Sequence, residues 1–387
     1  MNLIIIPFHD WRKSQNEGFR TRDVHFIKSL SDNKNVDKIL VINRPSTWLE
    51  HLYKGSKKNV KGELLLNNRN FSLTKVDHNI YITDYHSWDI LNQIKKKHLW
   101  FIEKYNDPNY IEFINRCCKE LNMEDNSLIV QNIFSYKLGI NLVAKRKLFD
   151  AWDNFLKFPA YKNIKSDLRE GYKVLSNHIP LWVTNSQENI SFYKSEFGVK
   201  TIHLMKNGVN VDFLSNSSEP PKDLLNIPKP IIGFGGKITY LLNYNLINYI
   251  TKENPKSSFV FVGQILDKEV YKKIIKRKNV FFLGDKNYAI YPSYVANFDI
   301  CIVPYNINGG QHGGDSIKAY EYLLTGKKIV GTNGNGLQDL EKHLYLAENP
   351  KEFSDALKHI KNEKISIDIE DHSWQSKSIK LLTYLAQ

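Results

Sequence analysis

The segment DICIVPYNINGGQHGGDSIKAYEYLLTGKKIVGT, residues 299–332, joins two short runs rich in Ile and Val through a glycine loop and an amphipathic stretch. Residues 299–303 and 327–331 are predicted to be buried strands, and residues 315–325 between them a helix. A strand, a helix and another strand in this order are typical of α/β folds with a parallel sheet between helices.

The same alternation occupies both halves of the chain, so we predict two Rossmann-like doubly wound domains with a cleft between the carboxyl ends of their strands. The predicted boundaries are an N-terminal domain at 1–210, a linker rich in Ser and Pro at 211–229, a C-terminal domain at 230–369 and a terminal helix at 370–387 that crosses back. Predicted strands are 2–6, 38–42, 79–83, 127–131, 181–184 and 201–205, then 230–234, 258–262, 279–283, 299–303, 327–331 and 343–347. Predicted helices lie near 21–32, 88–98, 108–121, 165–177 and 187–197, then near 241–252, 267–276, 289–297, 315–325 and 350–361.

Composition limits the class of protein. The 387 residues are 42% hydrophobic and carry a net charge of +13, which favours a folded protein with an acidic partner. Residues 1–180 hold 29 Lys and Arg against 20 Asp and Glu, so most of the excess lies in the first half. A membrane surface, a phosphate-bearing substrate and a nucleic acid all fit this charge.

Neither a membrane span nor a signal peptide is evident in the hydropathy pattern, so we expect a cytoplasmic protein, with the inner face of the cell membrane as a further location. Cys117, Cys118 and Cys301 have no disulfide or zinc-ligand spacing, which agrees with a reducing compartment.

Six segments of the second half carry a specific resemblance: KNGVNVDFL (206–214), IIGFGGKI (231–238), SFVFVG (258–263), NVFFLG (279–284), YPSYVANFDICIVPY (291–305) and DSIKAYEYLLTGKKIVGT (315–332). Their order resembles the C-terminal half of GT-B glycosyltransferases of the family 4 type, in the branch that makes teichuronic acid and other surface polysaccharides. FDAWDNFLKFP (149–159), VTNSQENI (183–190) and HSW (372–374) extend the resemblance over most of residues 145–387.

The resemblance implies transfer of a sugar from a nucleotide diphosphate sugar, with the donor held by the second domain. The departing diphosphate needs backbone N–H groups, a helix N-terminus and fixed cations. Glu321 is expected to bind the ribose hydroxyls, and Lys237 and Lys318 to stabilise the diphosphate, so these three are the predicted catalytic residues. The other predicted donor-binding residues are Gly235, Gly236, Thr239, Gly313, Gly314, Asp315, Ser316 and Tyr320.

The chain departs from the family pattern at one position. Family 4 enzymes have two glutamates separated by seven residues; the second is Glu321 and the first position is Gly313. His312 or Asp315 is a candidate substitute at the sugar end of the site. The resemblance also implies retention of anomeric configuration, no metal and no separate cofactor.

In the first domain, the polar segment FHDWRKSQNEGFRTRDVHFIKSL (8–30) is predicted to be a loop followed by a helix, and the resemblance gives it acceptor contacts. The predicted acceptor-binding residues are Asp10, Trp11, Gly18, Arg20 and Arg22; Trp11 is expected to stack on a sugar and Gly18 to provide flexibility. Inverting transfer would need a base, for which Asp10, His86, Asp150 and Asp153 are candidates.

The implied partners are a nucleotide-sugar donor and a glycan or lipid-linked glycan acceptor. The lysine-rich triplets 95–97 and 145–147 suggest peripheral contact with anionic membrane headgroups. Two alternatives remain at this stage: a nucleotide-sugar epimerase-like GT-B enzyme, and a non-catalytic module that binds sugar or nucleic acid through segments such as KKKHLWFIEKY (95–105). The glycosyltransferase interpretation expects no nucleic acid partner.

Overall fold

The structure is a computed structural model that describes residues 1–54, 60–214, 219–307, 314–359 and 369–387. It divides into two compact units. The first unit contains Met1–Lys206 and Gln375–Gln387, and the second contains Asn207–Trp374. No helix among the described residues is long and apolar enough to cross a bilayer.

The first unit is built on a mixed sheet. Its strands are β1 (Asn2–Ile6), β2 (Lys38–Ile42), β3 (Ser46–Thr47), β4 (Glu63–Asn67), β5 (Phe71–Lys75), β6 (Ile80–Ser87), β7 (Ser127–Val130), β8 (Arg146–Asp150), β9 (Leu181–Thr184) and β10 (Thr201–Leu204). They follow the order β10-β9-β8-β7-β1-β2-β6-β5-β4, with β3 paired to β6. All pairs are parallel except β4 with β5 and β5 with β6, which form an antiparallel edge.

The helices of the first unit are α1 (Trp11–Glu17), α2 (Arg22–Ser31), α3 (Trp48–Lys54), α4 (Ile90–Lys96), α5 (His98–Tyr105), α6 (Pro108–Glu120), α7 (Tyr136–Asn141), α8 (Lys165–His178) and α9 (Gln187–Phe197). Strands β1 and β2 are almost wholly buried, as expected for a parallel sheet covered on both faces. The chain runs from β1 to β2 on one side, whereas β7 and its successors lie on the other. The winding direction therefore reverses between β1 and β7.

The second unit has a sheet in which all described strand pairs are parallel. Its strands are β11 (Ile231–Gly235), β12 (Ser258–Val262), β13 (Val280–Gly284), β14 (Ile300–Val303), β15 (Lys328–Thr332) and β16 (Tyr345–Ala347), in the order β13-β12-β11-β14-β15-β16. Its helices are α10 (Tyr244–Glu253), α11 (Lys268–Lys273), α12 (Tyr291–Ala296), α13 (Ile317–Leu324), α14 (Pro350–His359) and α15 (Ile369–His372). The terminal helix α16 (Trp374–Ala386) belongs, from Gln375 onward, to the first unit. Here the winding direction reverses between β11 and β14.

Two parallel-dominated α/β sheets confirm the predicted fold class, and several details differ from the sequence-based expectations. Strand β8 was missed because its sequence, RKLFD, begins with charged residues that face out while the last three are buried. The antiparallel β4–β5 hairpin was also missed. Its first strand, ELLLN, is largely exposed, so neither alternation nor a buried run marks it.

The unit boundaries also differ from the predicted ones. Residues 207–210, placed with the N-terminal domain, belong to the second unit. Val209 explains this assignment, because it bridges to Ser373, its N–H donates to His372 O at 2.8 Å, and its own carbonyl accepts from Trp374 N at 3.2 Å. The predicted linker begins with a short 3-10 helix, Val211–Leu214, whose Phe213 is buried in the core of the second unit.

Candidate active site

The crevice at the reversal between β11 and β14 is the expected ligand site of the second unit. In open parallel sheets, ligands bind beyond the carboxyl ends of the strands where the winding direction reverses. Gly236 and Lys237 follow β11, and Tyr305 follows β14. Helix α13, which carries Lys318 and Glu321, precedes β15 next to β14.

Lys318 and Gly236 lie against each other in this crevice. Gly236 has a φ of 149°, and a Cβ built there would lie 2.7 Å from Lys318 Cε. The Lys318 ammonium donates to Tyr305 Oη at 2.5 Å and lies 5.0 Å from the centre of the Tyr305 ring. A fixed cation therefore lies over a backbone that has no side chain, an arrangement suited to a phosphate group.

Glu321, one turn along α13 from Lys318, is a buried carboxyl group. It is 4% exposed, and its Oε1 accepts a hydrogen bond from Tyr288 Oη at 2.6 Å. Burial raises the pKa of Glu321 to about 7, although the bond from Tyr288 and the charge of Lys318 act to lower it. Burial likewise raises the pKa of Tyr288 well above its usual range. The carboxyl group thus depends on hydroxyl donors to carry a charge here.

Asp315, at the start of this region, is held by structural bonds. Its Oδ2 accepts from the Asn207 N–H at 2.5 Å and its Oδ1 accepts from Tyr320 Oη at 2.7 Å. Tyr320 is fully buried, with its ring centre 5.2 Å from that of His372. These contacts attach Asn207 and His372 to the beginning of α13, and the donor contacts of Asp315 and Tyr320 stay predictions.

The remaining predicted donor-binding residues have varied surroundings. The Gly235 N–H donates to Tyr322 Oη at 2.7 Å, so it is not free for a diphosphate. Thr239 accepts from the Leu241 N–H at 3.3 Å in the turn after β11. Ser316 is the N-cap residue of α13, yet its hydroxyl makes no capping bond and its buried oxygen has no hydrogen-bond partner among the described residues.

Three further positions complete this set. Lys237 is half-buried directly after Gly236. A Cβ at Gly314 would meet only Asn335 O, at 4.0 Å, which leaves open space beside the backbone. Gly313, the position of the first family glutamate, and His312 lie outside the described residues.

The reversal between β1 and β7 forms a second crevice, in the first unit. A cavity of about 230 Å³ lies there, and its wall combines aromatic rings with charged groups. The lining residues are Phe8, His9, Asp10, Lys13, Arg44, His98, Phe101, Asn132, Phe134 and Tyr161. Aromatic faces beside polar groups suit a sugar, whose ring has both apolar C–H surfaces and hydroxyls.

His9 is a candidate functional residue of this cavity that the sequence analysis missed. Its Nδ1 lies 3.0 Å from Asp23 Oδ2, and its backbone N–H donates to the same oxygen at 2.8 Å. Asp23 is 2% exposed; burial acts to raise its pKa, but the contacts with His9 and the bond from Thr21 hold it below its usual range. A charged Asp23 keeps a proton on Nδ1 of His9, and Nε2 is then an acceptor whenever the imidazole is neutral.

The predicted acceptor-binding residues divide into one that lines the cavity and four that do not. Asp10 lines it, accepts from the Lys13 N–H at 3.1 Å as the N-cap of α1, and pairs with Arg12 at 2.9 Å. Trp11 is 3% exposed and packs on Phe19, so its ring is not available to stack on a sugar.

Gly18 and Arg22 have structural roles, whereas the acceptor contact of Arg20 stays a prediction. Gly18 has a φ of 79° and ends α1 as its C-cap, so it terminates a helix where flexibility was expected. Arg20 donates to Glu17 at 2.9 Å. Arg22 is buried and forms a bidentate pair with Asp150, at 3.1 and 3.0 Å. Arg22 is therefore part of the interior of the first unit.

The candidate bases for inverting transfer are largely occupied. Asp150 is 1% exposed and pairs with Arg22. His86 is fully buried, with its Nδ1 3.1 Å from Ser46 Oγ and 3.2 Å from His51 Nε2. Asp153 lies on the segment after β8, where its carbonyl accepts from Tyr193 Oη. In the part of the chain that the structure describes, no group of three or more His, Cys, Asp or Glu residues could hold a metal ion.

Comparison with solved structures establishes the fold. An E. coli trehalose-6-phosphate protein bound with UDP-2-fluoro glucose matches with a TM-score of 0.70 and 10% identity, over 100% of this chain and 99% of that chain. The sucrose-phosphate synthase of Thermosynechococcus elongatus matches with a TM-score of 0.68 and 11% identity, over 99% and 98%. This chain has the GT-B fold.

Sequence comparison adds a relative over part of the chain. TuaH of Bacillus subtilis (strain 168), named for glycosyl transfer in teichuronic acid biosynthesis, is 28% identical over 149 residues. The match covers 38% of this chain and 38% of TuaH. No family model matches the chain. The GT-B fold and the name of TuaH both agree with the resemblance to GT-B glycosyltransferases described above.

Proposed function

We propose that this protein is a glycosyltransferase that moves a sugar from a nucleotide diphosphate sugar to a surface polysaccharide or lipid-linked glycan acceptor. The observation that carries the proposal is the position of Lys318 over Gly236 at the carboxyl end of β11, one turn from the buried carboxyl of Glu321. A cation over a bare backbone suits a diphosphate, and a carboxylate nearby suits two vicinal ribose hydroxyls. The GT-B fold and the partial match to TuaH support the same reaction class.

The protein's own charges would stabilise the leaving group. As the bond between the anomeric carbon and the diphosphate oxygen breaks, its electron pair goes to the nucleoside diphosphate. Lys318, Lys237 and the N-terminus of α13 are the groups that would face this charge. We propose that they make a divalent metal unnecessary, so EDTA should leave turnover unchanged.

The first-unit cavity would receive the acceptor. An acceptor hydroxyl can donate to Nε2 of His9, which Asp23 orients, while the sugar ring lies against the aromatic wall. We propose retention of configuration, in which the acceptor oxygen bonds to the anomeric carbon and its proton passes to the departing phosphate. His9 then orients the hydroxyl without removing its proton. The anomeric configuration of the product, measured by NMR, tests this assignment.

Nucleic acid binding through residues 95–105 is not supported by the side-chain positions. Bases stack on exposed aromatic faces, yet Trp100 and Tyr105 are fully buried in the first unit. The aromatic and basic residues of this segment therefore do not form one stacking surface.

Substitution of Lys318 tests the donor site. We expect Lys318→Met to weaken binding of nucleoside diphosphates about 10-fold to 100-fold, because a hydrogen bond to a charged group contributes roughly 1.5–3 kcal/mol. A thermal-shift titration measures this, since a ligand that binds only the native state raises its stability. Lys252→Met, an exposed lysine of the same unit, is the matched control. Equal nucleotide affinity in both variants, or no response of the wild type to any nucleotide, would contradict the proposal.

A further inference from the structure

Exposed hydrophobic side chains are concentrated in one part of the first unit. Among the described residues, 17 large hydrophobic side chains are exposed, and eight of them fall within residues 49–94. Six of the eight lie on or beside α3 and α4, and we name them the α3–α4 surface: Leu49, Leu52, Tyr53, Trp88, Leu91 and Ile94. Scattered exposed hydrophobics are normal in soluble proteins, but a local cluster marks an interaction site.

The two helices that carry this surface are neighbours. The ring centres of Trp48 and Trp88 lie 5.2 Å apart, and Thr47 Oγ1 donates to Gln93 Oε1 at 2.6 Å. A cavity of about 510 Å³ is lined by residues of both helices, including Leu49 and Gln93. Leu49 and Tyr53 on α3 and Gln93 on α4 therefore line one cavity.

Helix α4 is unusually exposed. None of its residues, Ile90–Lys96, is buried, and Leu91 is 83% exposed. A surface helix normally buries its apolar stripe against the core. Leu91 and Ile94 of α4 are thus mostly unpacked among the described residues, which leaves an apolar face for an external partner.

Positive charge accompanies the exposed hydrophobics. Lys95 and Lys96 end α4 and Lys97 follows it; Lys96 also pairs with Glu103 at 2.7 Å. Residues 44–104 hold 11 Lys and Arg against 6 Asp and Glu. Tyr53 and Trp88 supply the amphipathic rings that favour the level of lipid headgroups. Apolar, aromatic and cationic side chains in one region are the combination by which helices bind anionic lipid surfaces without spanning them.

We propose that the α3–α4 surface attaches this protein peripherally to an anionic lipid bilayer, with the apolar side chains inserted at the headgroup level and Lys95–Lys97 against the phosphates. A second copy of the chain is a poorer partner, because a two-fold contact through this surface would bring two copies of the lysine triplet together. The attachment requires neither donor nor acceptor. It can therefore be tested independently of glycosyl transfer.

Co-sedimentation of the full chain with vesicles is the test. The probes are phosphatidylcholine vesicles with and without phosphatidylglycerol. We expect the wild type to sediment with the anionic vesicles and to be released by high salt, because headgroup attraction is screened. Leu91→Glu with Ile94→Glu should lower the partition constant at least about ten-fold, through loss of apolar insertion and added like charge.

Matched variants make the result specific. Leu225→Glu with Leu266→Glu, at residues 61% and 55% exposed in the second unit, should bind vesicles as the wild type does. Replacement of Lys95, Lys96 and Lys97 by Gln should remove the preference for anionic vesicles. Unchanged circular dichroism would show that both pairs fold, as expected for exposed positions.

Three outcomes would overturn the proposal: no sedimentation of the wild type, equal losses in both Glu pairs, or a wild-type dimer that Leu91→Glu with Ile94→Glu dissociates while vesicle binding persists. Turnover on a water-soluble acceptor should be unchanged in the Leu91 and Ile94 variant. A failure of membrane attachment is therefore distinguishable from a failure of the proposed glycosyl transfer.

Discussion

The raised pKa of Glu321 predicts that its replacement stabilises the second unit at neutral and higher pH. The carboxyl titrates at about 7 in the folded chain and at 4.5 ordinarily, so between these values the native state holds a proton that the unfolded state has lost. Stability from this group is fully present below about pH 4.5 and is lost as the pH rises to about 7. At roughly 1.4 kcal/mol per pH unit, the loss is about 3 kcal/mol.

Glu321→Gln removes this titration and keeps an oxygen that can accept from Tyr288 Oη. Its free energy of unfolding, relative to wild type, should therefore rise by about 3 kcal/mol from pH 4.5 to pH 8. Urea unfolding followed by circular dichroism at each pH measures the difference. If the two units unfold in separate transitions, the effect belongs to the one assigned to the second unit.

Glu253→Gln provides the control, since this glutamate ends α10 on the surface of the same unit. Its unfolding free energy should follow wild type at every pH. A difference between Glu321→Gln and wild type that stays constant from pH 4.5 to pH 8 would refute the reasoning, because the carboxyl would then titrate equally in the folded and unfolded chains.

Two further predictions concern packing and the acceptor. Gly208→Ala should destabilise the second unit by about 1–3 kcal/mol, because a Cβ there would lie 2.8 Å from the Trp374 ring and 2.9 Å from its backbone nitrogen. The control Gly314→Ala, whose Cβ meets no close atom, should change the urea midpoint little, and equal effects of the two substitutions would contradict this account. His9→Ala and Asp23→Asn should each raise the KM for acceptor about ten-fold, which corresponds to the loss of one hydrogen bond, and leave the KM for donor unchanged. An increase in both KM values would assign these residues a structural role instead.

The sequence predicted the fold well because parallel strands buried on both faces leave an unambiguous pattern. Runs such as SFVFV, found as β12 at Ser258–Val262, are apolar throughout, since no face meets water. Strands that depart from this pattern were missed. Strand β8 begins with charged residues and β4 is an exposed edge strand, so neither strand is buried on both faces along its whole length.

The candidate donor site followed partly from sequence, whereas its contacts did not. The glycine after β11 and the roles of Lys318 and Glu321 in α13 were predicted from the local pattern and the family resemblance. That Lys318 lies over Gly236, and that Tyr288 donates to Glu321, depends on residues up to 82 positions apart in the chain. Spacing along a sequence carries no information about such pairs.

Predictions for the acceptor segment failed for residues that were assumed to be exposed and are buried. Arg22 is an interior partner of Asp150, 128 positions away, and Trp11 is a core residue. The sequence does not distinguish a buried arginine from an exposed one, because the carboxylate that pairs with the buried arginine is distant in the chain. His9 was overlooked for the same reason, because its significance comes from Asp23, which the sequence placed simply within a helix.

The Tyr288–Glu321 hydrogen bond connects nucleotide binding to protons. In the structure, the Tyr288 hydroxyl donates to a carboxyl group whose pKa burial raises to about 7. Two ribose hydroxyls donating to the same group would favour its charged form and lower that pKa. Nucleotide binding near pH 6 should therefore release a proton, and affinity should increase as the pH rises toward 7. Calorimetry in buffers of different ionisation enthalpy measures this proton release, and Glu321→Gln should abolish it. Proton uptake by the wild type, or equal proton release by the variant, would exclude ribose as the partner of Glu321.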